Sequence, residues 1–474
     1  MITYNELLKQ KLISESNIND SGIIKDLIDE HDTTKMLEGQ RYYYNENDIL
    51  DRKQFYYKNG VKTEDDTKAN NKIPHNWHKL LVDQKVAYLV GKPVVLQAGE
   101  NQKEYEDRLN LILGEEWDDT LNELAKNSSN KGTEWLHVYI NEEGLFKFII
   151  IPAEEVIPIY DTSLQENLEV VLRYYLVEVN GKERIRVEWW TRETVTFYIQ
   201  DNSGDFVLDD TENPNPDHHF YYNDIGYGWT KVPFIEFPNN EERLSDLKFY
   251  KELIDSYDLN ISDLANNLEE VQEIIMVLKG YEGESLAEFK ENIRYYKALT
   301  VDSGENSGID KVELSIPVEA KKEMLDRLEE NIFLFGQGVN MKTDRFGNSP
   351  SGVALKFLYS SLDLKASIME RKFRKSIKRL LWFATEYINI IDKKDYDSTT
   401  IQVTFRKTMI TNDKEDVEIA RDSKGIISDE TIIANHPWVE DVAVEKERLE
   451  KQEETELDKF TPYKGLGEED GEDE

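Results

Sequence analysis

Apolar residues recur along this chain with two different periods, and the change of period predicts where helices and strands lie. Steps of three and four predict helices over residues 1–40, 76–91 and about 103–130. Over residues 134–237 the step falls to two, β-branched and aromatic residues are frequent, and short turns such as NEEG and NGK intervene. The pattern therefore predicts an α+β fold, mainly helical, with one β-rich region.

The longest regular helical pattern covers residues 244–278. Its apolar positions follow a period of about 3.5 residues, which predicts one helix about 52 Å long. The other positions carry eight Asp or Glu against two Lys, so the helix should combine one apolar stripe with a negative remainder. The stripe consists of Leu247, Tyr250, Ile254, Tyr257, Ile261, Leu264, Leu268, Val271, Ile275 and Leu278.

Two further helices are predicted at 319–335 and from Ser351 to about Ile391, the second about 60 Å long. The two helices of about 52 and 60 Å, at 244–278 and 351–391, are longer than a compact domain of this size needs, so other copies of the chain should cover part of each apolar stripe. A closed ring meets this requirement without open-ended stacking. A strand at TIQVTFR and two or three helices to about residue 456 should follow.

The composition excludes several classes of protein. The 474 residues carry a formal charge of −38, and so acidic a surface repels nucleic-acid phosphates and anionic membranes. The absence of Cys rules out disulfides and thiolate metal sites. No apolar run approaches the ~18 residues of a membrane span, and the charged N-terminus is unlike a secretory signal. We therefore expect a soluble, intracellular chain with a disordered acidic tail at GLGEEDGEDE.

The glycine spacing in RFGNSPSGVALK, residues 345–356, matches that of a phosphate-binding loop. That motif requires Lys and then Ser or Thr after the second glycine, where they meet phosphate and magnesium. Val353 and Ala354 follow Gly352 instead. We therefore predict no nucleotide site here; Pro350 and its polar neighbours indicate a sharp bend before a helix.

No catalytic, cofactor or metal site is predicted. His75 and His78 have a spacing that a metal ion can use, but no third ligand accompanies them. His218 and His219 lie in a polar loop, where we expect solvent around them. Asp and Glu are so abundant that paired carboxylates arise by chance, and no nucleophile motif is present. We therefore expect a protein that is not an enzyme.

Three stretches of the chain, in their order and spacing, resemble the portal proteins of tailed bacteriophages, of the type found in long-tailed phages of Gram-positive hosts. They read NNKIPHNWHKLLVDQKVAYLVGKPV, RFGNSPSGVALKFLYSSLDLKASIMERKFRKSI and MITNDKEDVEIARDSKGIISDETIIANHPWVEDV. The resemblance covers most of residues 1–455. It implies a ring of about twelve copies at one capsid vertex, through which double-stranded DNA passes during packaging, retention and ejection.

The resemblance also implies partners, a location and a division of the chain. The partners are other copies, the terminase large subunit that powers packaging, the head–tail connector, and the major capsid and scaffold proteins, without a membrane. The protein is expected in the virion after assembly in the host cytoplasm. The implied regions are a wing at 1–237 with its β-rich part at 134–237, a stem helix at 238–278, a clip at 279–318, a second stem helix at 319–336, a tunnel loop at 337–350, a long wing helix and strand at 351–407, a crown at 408–456 and the acidic tail at 457–474.

The implied tunnel loop contains the residues best suited to contact DNA. Lys342 and Arg345 are the natural phosphate contacts, and Asn340, Asn348 and Ser349 can add hydrogen bonds. A mobile loop can grip and release DNA without a deep energy well. The alternative is a surface loop that merely caps the following helix.

Two charged sets complete the implied site. The acids of the stem helix suit a channel wall that lets DNA slide, although an ordinary solvated helix face is an equal alternative; they are Asp255, Asp258, Asp263, Glu269, Glu270 and Glu273. One basic cluster should pair with acids of neighbouring subunits, with DNA contact as the alternative. It comprises Lys365, Arg371, Lys372, Arg374, Lys375, Lys378 and Arg379.

Two other functions compete with a DNA conduit. One is an acidic helical scaffold protein without a channel, and the other is a metal-dependent nuclease built on carboxylates. A central hole in ring images would separate the first from a conduit, and magnesium-dependent DNA cleavage would favour the second.

Overall fold

The computed structural model describes residues 21–58, 60–65, 68–99, 102–161, 167–270, 275–279, 308–312, 317–340, 352–408, 413–434, 436, 438–439 and 442–459. The chain divides into two compact units, Met1–Asn340 with Ser361–Thr408, and Met341–Ser360 with Met409–Glu474. The predictions for residues 1–20, for most of 279–318, for 341–350 and for the tail beyond 459 lie outside the described residues. No helix in the described ranges is long and apolar enough to cross a membrane.

Most α-helices lie where the sequence predicts them. Val318–Gly336 matches the helix predicted at 319–335, and Gly352–Asp392 matches the long helix predicted from Ser351. The described α-helices, in chain order, are α1 (Ser21–Glu30), α2 (Thr34–Tyr43), α3 (Trp77–Val90), α4 (Lys103–Leu113), α5 (Glu116–Lys131), α6 (Lys251–Glu270), α7 (Val318–Gly336), α8 (Gly352–Asp392), α9 (Asp413–Asp422), α10 (Asp429–Ala434) and α11 (Val442–Lys459).

The strands concentrate in the region predicted to be β-rich, which confirms that prediction. They are β1 (Phe55–Lys58), β2 (Val61–Glu64), β3 (Val95–Gln97), β4 (Thr133–Ile140), β5 (Phe146–Ile151), β6 (Val156–Tyr160), β7 (Leu168–Val179), β8 (Lys182–Trp190), β9 (Thr194–Gln200), β10 (Phe206–Leu208), β11 (Asp217–His218), β12 (Phe220–Tyr222), β13 (Ile225–Tyr227), β14 (Phe234–Pro238), β15 (Ile275–Lys279), β16 (Gly308–Val312) and β17 (Gln402–Thr404).

Three antiparallel sheets form this region, the smallest of which is the pair β12–β13. The largest has the order β10-β9-β8-β7-β6, with β11 paired to β9, and the second has the order β14-β4-β5. Strands β4 and β5 are the predicted hairpin around NEEG, with Trp135 opposite Ile151. Strand β17, at the predicted TIQVTFR, pairs with β3 far back in the chain.

The largest sheet is covered on one side by α1. Ile23, Ile24 and Leu27 are fully buried against Leu172 and Trp189 of the sheet. Burying a large apolar side chain stabilises the fold by roughly 1.5–3 kcal/mol, so this contact fixes the helix on the sheet. Trp189 is thus a packing residue of this core.

The helix predicted over 244–278 is wrong in extent. A 3₁₀ turn occupies Asp246–Phe249, and α6 covers Lys251–Glu270, about 30 Å at 1.5 Å per residue. At the other end β15 pairs with β16 in an antiparallel ladder. The run IIMVL in 274–278 is apolar and partly β-branched, so it suits a strand as well as a helix, and periodicity cannot decide between them.

The apolar stripe of this prediction is correct only over its first half. Leu247, Tyr250 and Ile254 are buried in one cluster with residues of α2, α3 and α7. Tyr257 packs against the same cluster, but burial of the stripe decreases toward its end, and Leu268 is 56% exposed. The buried positions there are polar, so the second half of α6 is fixed by hydrogen bonds rather than by an apolar seam.

The second unit contains α9, α10 and α11, in agreement with the two or three helices predicted near the C-terminus. None of the side chains described between residues 417 and 452 is buried. Large apolar residues such as Ile426 and Trp438 are 81% and 75% exposed. These helices therefore lack an apolar core formed by the described residues alone.

Candidate functional site

The segment that leads from α7 toward the predicted loop is firmly anchored. Of the five predicted loop residues only Asn340 is described; Lys342, Arg345, Asn348 and Ser349 lie outside the described residues. The Gln84 side-chain amide donates to the Val339 carbonyl at 3.0 Å, and its oxygen accepts from the Val339 N–H at 2.9 Å. This pair of bonds fixes the backbone two residues before Met341.

Close packing fixes the same segment from another side. The end of α7 turns through Gln337, whose φ of 55° is left-handed. A Cβ on Gly336 or Gly338 would lie 2.5 Å or 2.2 Å from methyl carbons of Leu81. A larger residue at either position would have to displace the buried Leu81 side chain of α3.

A buried charged cluster lies beside this anchor. Lys85 of α3 contacts the Asp246 carboxylate at 2.6 Å, and Lys365 of α8 contacts it at 3.2 Å. Lys365 also donates to the Gly336 carbonyl at 2.8 Å, which links the cluster to the end of α7. Asn239 completes it by accepting from Lys85 and donating to Asp246. We call Lys85, Asp246, Lys365 and Asn239 the buried hub.

The protonation states in the hub follow from burial and charge. Burial alone would raise the pKa of Asp246, but the charges of Lys365 and Lys85 outweigh it and lower that pKa well below its usual range. Burial lowers the pKa of Lys85 to about 8, and the attraction of Asp246 opposes a further fall. The hub is thus an ion pair on which the stability of its surroundings depends.

The predicted acidic face of the stem helix is only partly exposed. Asp258 is fully buried and cannot belong to such a face. Its carboxylate accepts from the Asn47 side chain at 2.6 Å, and from the backbone N–H and Nδ1 of His75 at 3.0 Å and 2.8 Å. The sequence pattern counted it with the solvated acids because period alone cannot distinguish a buried hydrogen-bonded carboxylate from an exposed one.

Asp258 begins a polar seam that continues along α6. Ser262 accepts from the Ile73 N–H at 3.0 Å, and Asn266 accepts from the Asn71 N–H at 2.6 Å. Positions 258, 262 and 266 are four apart and therefore lie on one side of the helix. The extended segment before α3 is thus attached to α6 through polar side chains.

The other predicted acids of this helix have mixed surroundings. Asp255 contacts Lys251 at 2.7 Å, and Asp263 forms an ion pair with Arg52 while 43% of its side chain stays exposed. Glu269 is exposed and accepts from Asn71 at 2.8 Å. The side chain of Glu270 and all of Glu273 lie outside the described residues.

The predicted basic cluster separates into two groups. Three members have partners within the chain: Lys365 in the hub, Lys372 with Glu241, and Arg374 with Glu370 at 2.6 Å. The charge of Lys365 is thus already paired within the chain. The remaining four are exposed and form no ion pair with any residue that the structure describes: Arg371, Lys375, Lys378 and Arg379.

The histidines of the chain have separate partners. His75 contacts Asp258, whereas His78 contacts the Tyr250 hydroxyl at 2.8 Å, so the two rings have different partners. Within the described part of the chain, no three His, Cys, Asp or Glu side chains are grouped to bind a metal. The prediction of a solvated pair is correct for exposed His218 and wrong for His219, whose pKa burial lowers to about 4.

Sequence reasoning missed Gln84 and the buried hub. A signal was present, because the helix WHKLLVDQKVAYLV has apolar residues on every side and yet contains Lys85. A lysine in such a helix must be buried with a partner or project past its neighbours. Asp246 gave no comparable signal among so many acids.

Comparisons with known proteins add an independent observation. The family described as "Phage portal protein, SPP1 Gp6-like" matches residues 24–459. A portal protein of Bacillus phage SPP1 is 38% identical over 464 residues, which is 96% of this chain and 90% of that protein. A portal protein of Clostridium phage phiCD119 is 35% identical over 444 residues, covering 88% and 92%. A solved structure titled "Neck of empty GTA particle computed with C6 symmetry" is 11% identical with a TM-score of 0.44, covering 84% of this chain and 92% of that one.

Proposed function

The chain belongs to the family of phage portal proteins of the SPP1 Gp6-like type, and on that premise we propose that about twelve copies form a ring that conducts double-stranded DNA. The observation that carries the proposal is the extent of the match, residues 24–459, which includes nearly every described element. The ring would occupy one vertex of the capsid and serve packaging, retention and ejection.

We keep the regions predicted from the sequence, except that the first stem helix is α6, Lys251–Glu270, instead of residues 238–278. The wing comprises 1–237 and the long helix and strand at 351–407, and the crown comprises 408–456. The stem comprises α6 and α7, which pack against each other. The clip at 279–318 then begins near the β15–β16 pair, and the tunnel loop at 337–350 begins at the anchor formed by Gln84.

A negative channel wall suits DNA that must pass through the ring without binding tightly to it. Each Lys or Arg that neutralises a phosphate releases counterions and deepens the bound state, so a basic wall would retain DNA at every step. A chain of charge −38 leaves the duplex hydrated and free to slide. On the described part of α6, exposed Glu252 and Glu269 and half-exposed Asp263 suit this wall, whereas Asp258 does not.

The tunnel loop would supply the transient contacts that a smooth wall lacks. Lys342 and Arg345 are proposed to meet phosphates, with Asn340, Asn348 and Ser349 nearby. Support comes from the anchored base, because a loop fixed at Val339 transmits force to α3 rather than dissipating it.

A double variant tests this role. Lys342→Ala with Arg345→Ala should lower the fraction of packaged DNA that remains in the head after the motor is removed, while rings still assemble. Lys147→Ala with Lys182→Ala, two exposed lysines of β5 and β8, is the matched control and should retain DNA normally. Unchanged packaging and retention in the loop variant would contradict the assignment.

The proposed partners follow from the family and from the regions. The terminase large subunit and later the head–tail connector would dock at the clip, and the major capsid and scaffold proteins would surround the ring during assembly in the host cytoplasm. The finished ring is a virion component without catalysis of its own. An acidic scaffold without a channel is the alternative, and rings that lack a central hole would favour it.

A further inference from the structure

A cleft of 420 Å³ lies between the C-terminal half of α8 and the chain around β14. Three cations line it, Arg192, Lys231 and Arg379, and we call it the cationic cleft. None of the described residues that line it is Asp or Glu, although the chain has 96 acidic residues against 58 basic ones. A cavity of this composition in so acidic a protein is suited to an anion.

Aromatic packing gives the cleft a defined shape. Trp229 contacts Phe383 edge-on with ring centroids 5.5 Å apart, which joins the chain before β14 to α8. Lys231 then lies over the Trp382 ring, with its Nζ 3.6 Å from the ring centroid. Such a cation–π contact positions an ammonium group without neutralising its charge.

The cations of the cleft are incompletely paired within the chain. Arg192 contacts Glu169, whereas Lys231 and Arg379 form no ion pair with any described residue. Burial lowers the pKa of Lys231; Glu386 opposes this fall and Arg379 adds to it. An incoming carboxylate would relieve the repulsion between these two cations.

The cleft continues into the exposed side of α8. Arg379 and Lys375 are one turn apart, and Lys378 and Arg371 lie on the same side by their spacing of three and four. Further toward the N-terminus of α8, the exposed residues on this side are apolar: Ile368 is 47% exposed and Leu364 is 64% exposed. The surface is therefore apolar at one end and basic at the other.

This combination favours an acidic protein surface over nucleic acid. Phosphates would use the cations but leave Leu364 and Ile368 exposed to water, whereas a protein face can cover both. In a ring of identical chains each interface joins this face to a different face of the next copy. Two surfaces of a chain with charge −38 repel each other unless cations lie between them.

We propose that the exposed side of α8 from Leu364 to Arg379 seats the neighbouring copy, and that the cationic cleft accepts Asp or Glu side chains of that copy. The inference rests on the proposed ring. It names which cations serve the contact between copies, and it excludes Lys365, Lys372 and Arg374, which are paired internally.

Carbodiimide cross-linking of isotopically mixed rings tests the proposal directly. Rings formed from equal amounts of ¹⁴N and ¹⁵N chains are treated with a reagent that joins Lys amines to adjacent carboxylates. Cross-links from Lys231, Lys375 or Lys378 to Asp or Glu should include mixed-isotope peptide pairs, in about half of the cases for random mixing. If rings form but these lysines give only same-isotope pairs, or none, the proposal is overturned while the proposed function stands.

Charge reversal gives a second readout. Arg379→Glu with Lys375→Glu should lower the fraction of chains in rings at least tenfold at fixed concentration, and Lys147→Glu with Lys182→Glu, with the same change in charge, should not. Circular dichroism and the Tm of each variant confirm that the chains fold. Normal assembly of the α8 variant overturns the proposal, as does protection of these lysines from acylation only by added DNA, which would assign the surface to nucleic acid instead.

Discussion

Removing the negative charge from the buried hub should destabilise the protein strongly. In Asp246→Asn, Lys85 and Lys365 lose their common partner, while side-chain exposures of 1% and 11% leave them little access to water. Breaking a buried ion pair by removing one partner costs about 3–5 kcal/mol. A second estimate gives a similar value. Without Asp246, Lys85 can avoid a buried unpaired charge only by losing its proton. For a lysine with the ordinary pKa of 10.5, deprotonation at pH 7 costs roughly 5 kcal/mol.

The pH dependence of this loss identifies its origin. In the wild type the pKa of Lys85 in the folded state is about 8, below its ordinary value, so the free energy of unfolding rises as pH increases from about 8 to 10.5. In Asp246→Asn the pKa of Lys85 falls further, and the rise begins at lower pH. The destabilisation should therefore shrink by about 1–2 kcal/mol between pH 7 and pH 9.

The assay compares chemical unfolding of wild type and variants in the same oligomeric state. Asp263→Asn is the matched control, since it makes the same change on a half-exposed acid of α6 and should cost at most about 1 kcal/mol. Combining Asp246→Asn with Lys85→Met should recover part of the loss, because one unpaired charge disappears. If Asp246→Asn costs no more than the control, or its cost is constant between pH 7 and pH 9, the assignment of a buried ion pair is wrong.

Three further changes probe the anchor and the buried His78. Gln84→Ala removes both hydrogen bonds that fix the chain after α7 and should speed tryptic cleavage within 341–350 several-fold, as peptide mapping would show. Gly338→Ala places a Cβ 2.2 Å from Leu81 and should lower the free energy of unfolding by about 1–3 kcal/mol in denaturant titrations. Burial lowers the pKa of His78 to about 3, so this residue favours the native state above its ordinary pKa of 6.5 and opposes it as pH falls. His78→Gln should therefore reduce the loss of unfolding free energy between pH 6 and pH 4 by about 1.4 kcal/mol per pH unit.

Each of these changes has a control within the chain. Gln102→Ala alters a half-buried amide that accepts from Thr400 instead, and cleavage within 341–350 should not change. Gly99→Ala meets no atom closer than 3.8 Å and should be nearly neutral. His218→Gln alters an exposed ring and should leave the acid sensitivity as it is. If a control variant responds as strongly as the variant it is paired with, the contact assigned to that variant is wrong.

The sequence predicted those elements whose period is set by one apolar face. α8 and the β4–β5 hairpin lie where predicted because their buried positions repeat regularly and glycine or turn residues mark their ends. The prediction failed at 275–278 because a short apolar run fits a helix and a strand equally, and the pairing partner β16 lies about thirty residues away. Long-range pairing of this kind leaves no local signal.

The site was predictable in its residue types but not in their surroundings. Asp258 was assigned to an acidic channel face and Lys365 to a contact between copies, yet each has an internal partner far away in the sequence, His75 for one and Asp246 for the other. A single chain reveals that a charge exists, whereas only the fold reveals whether it is already paired. The exposed remainder of the basic cluster became distinguishable once these internal pairs were known.

Electron microscopy of the purified chain would show whether its copies close around a channel. We predict closed rings of about twelve 55.5-kDa copies with an open central channel wide enough for a B-form duplex. Particles that remain monomers under all conditions, or that assemble with α6 and α7 in a solid bundle without a hole, would contradict this prediction.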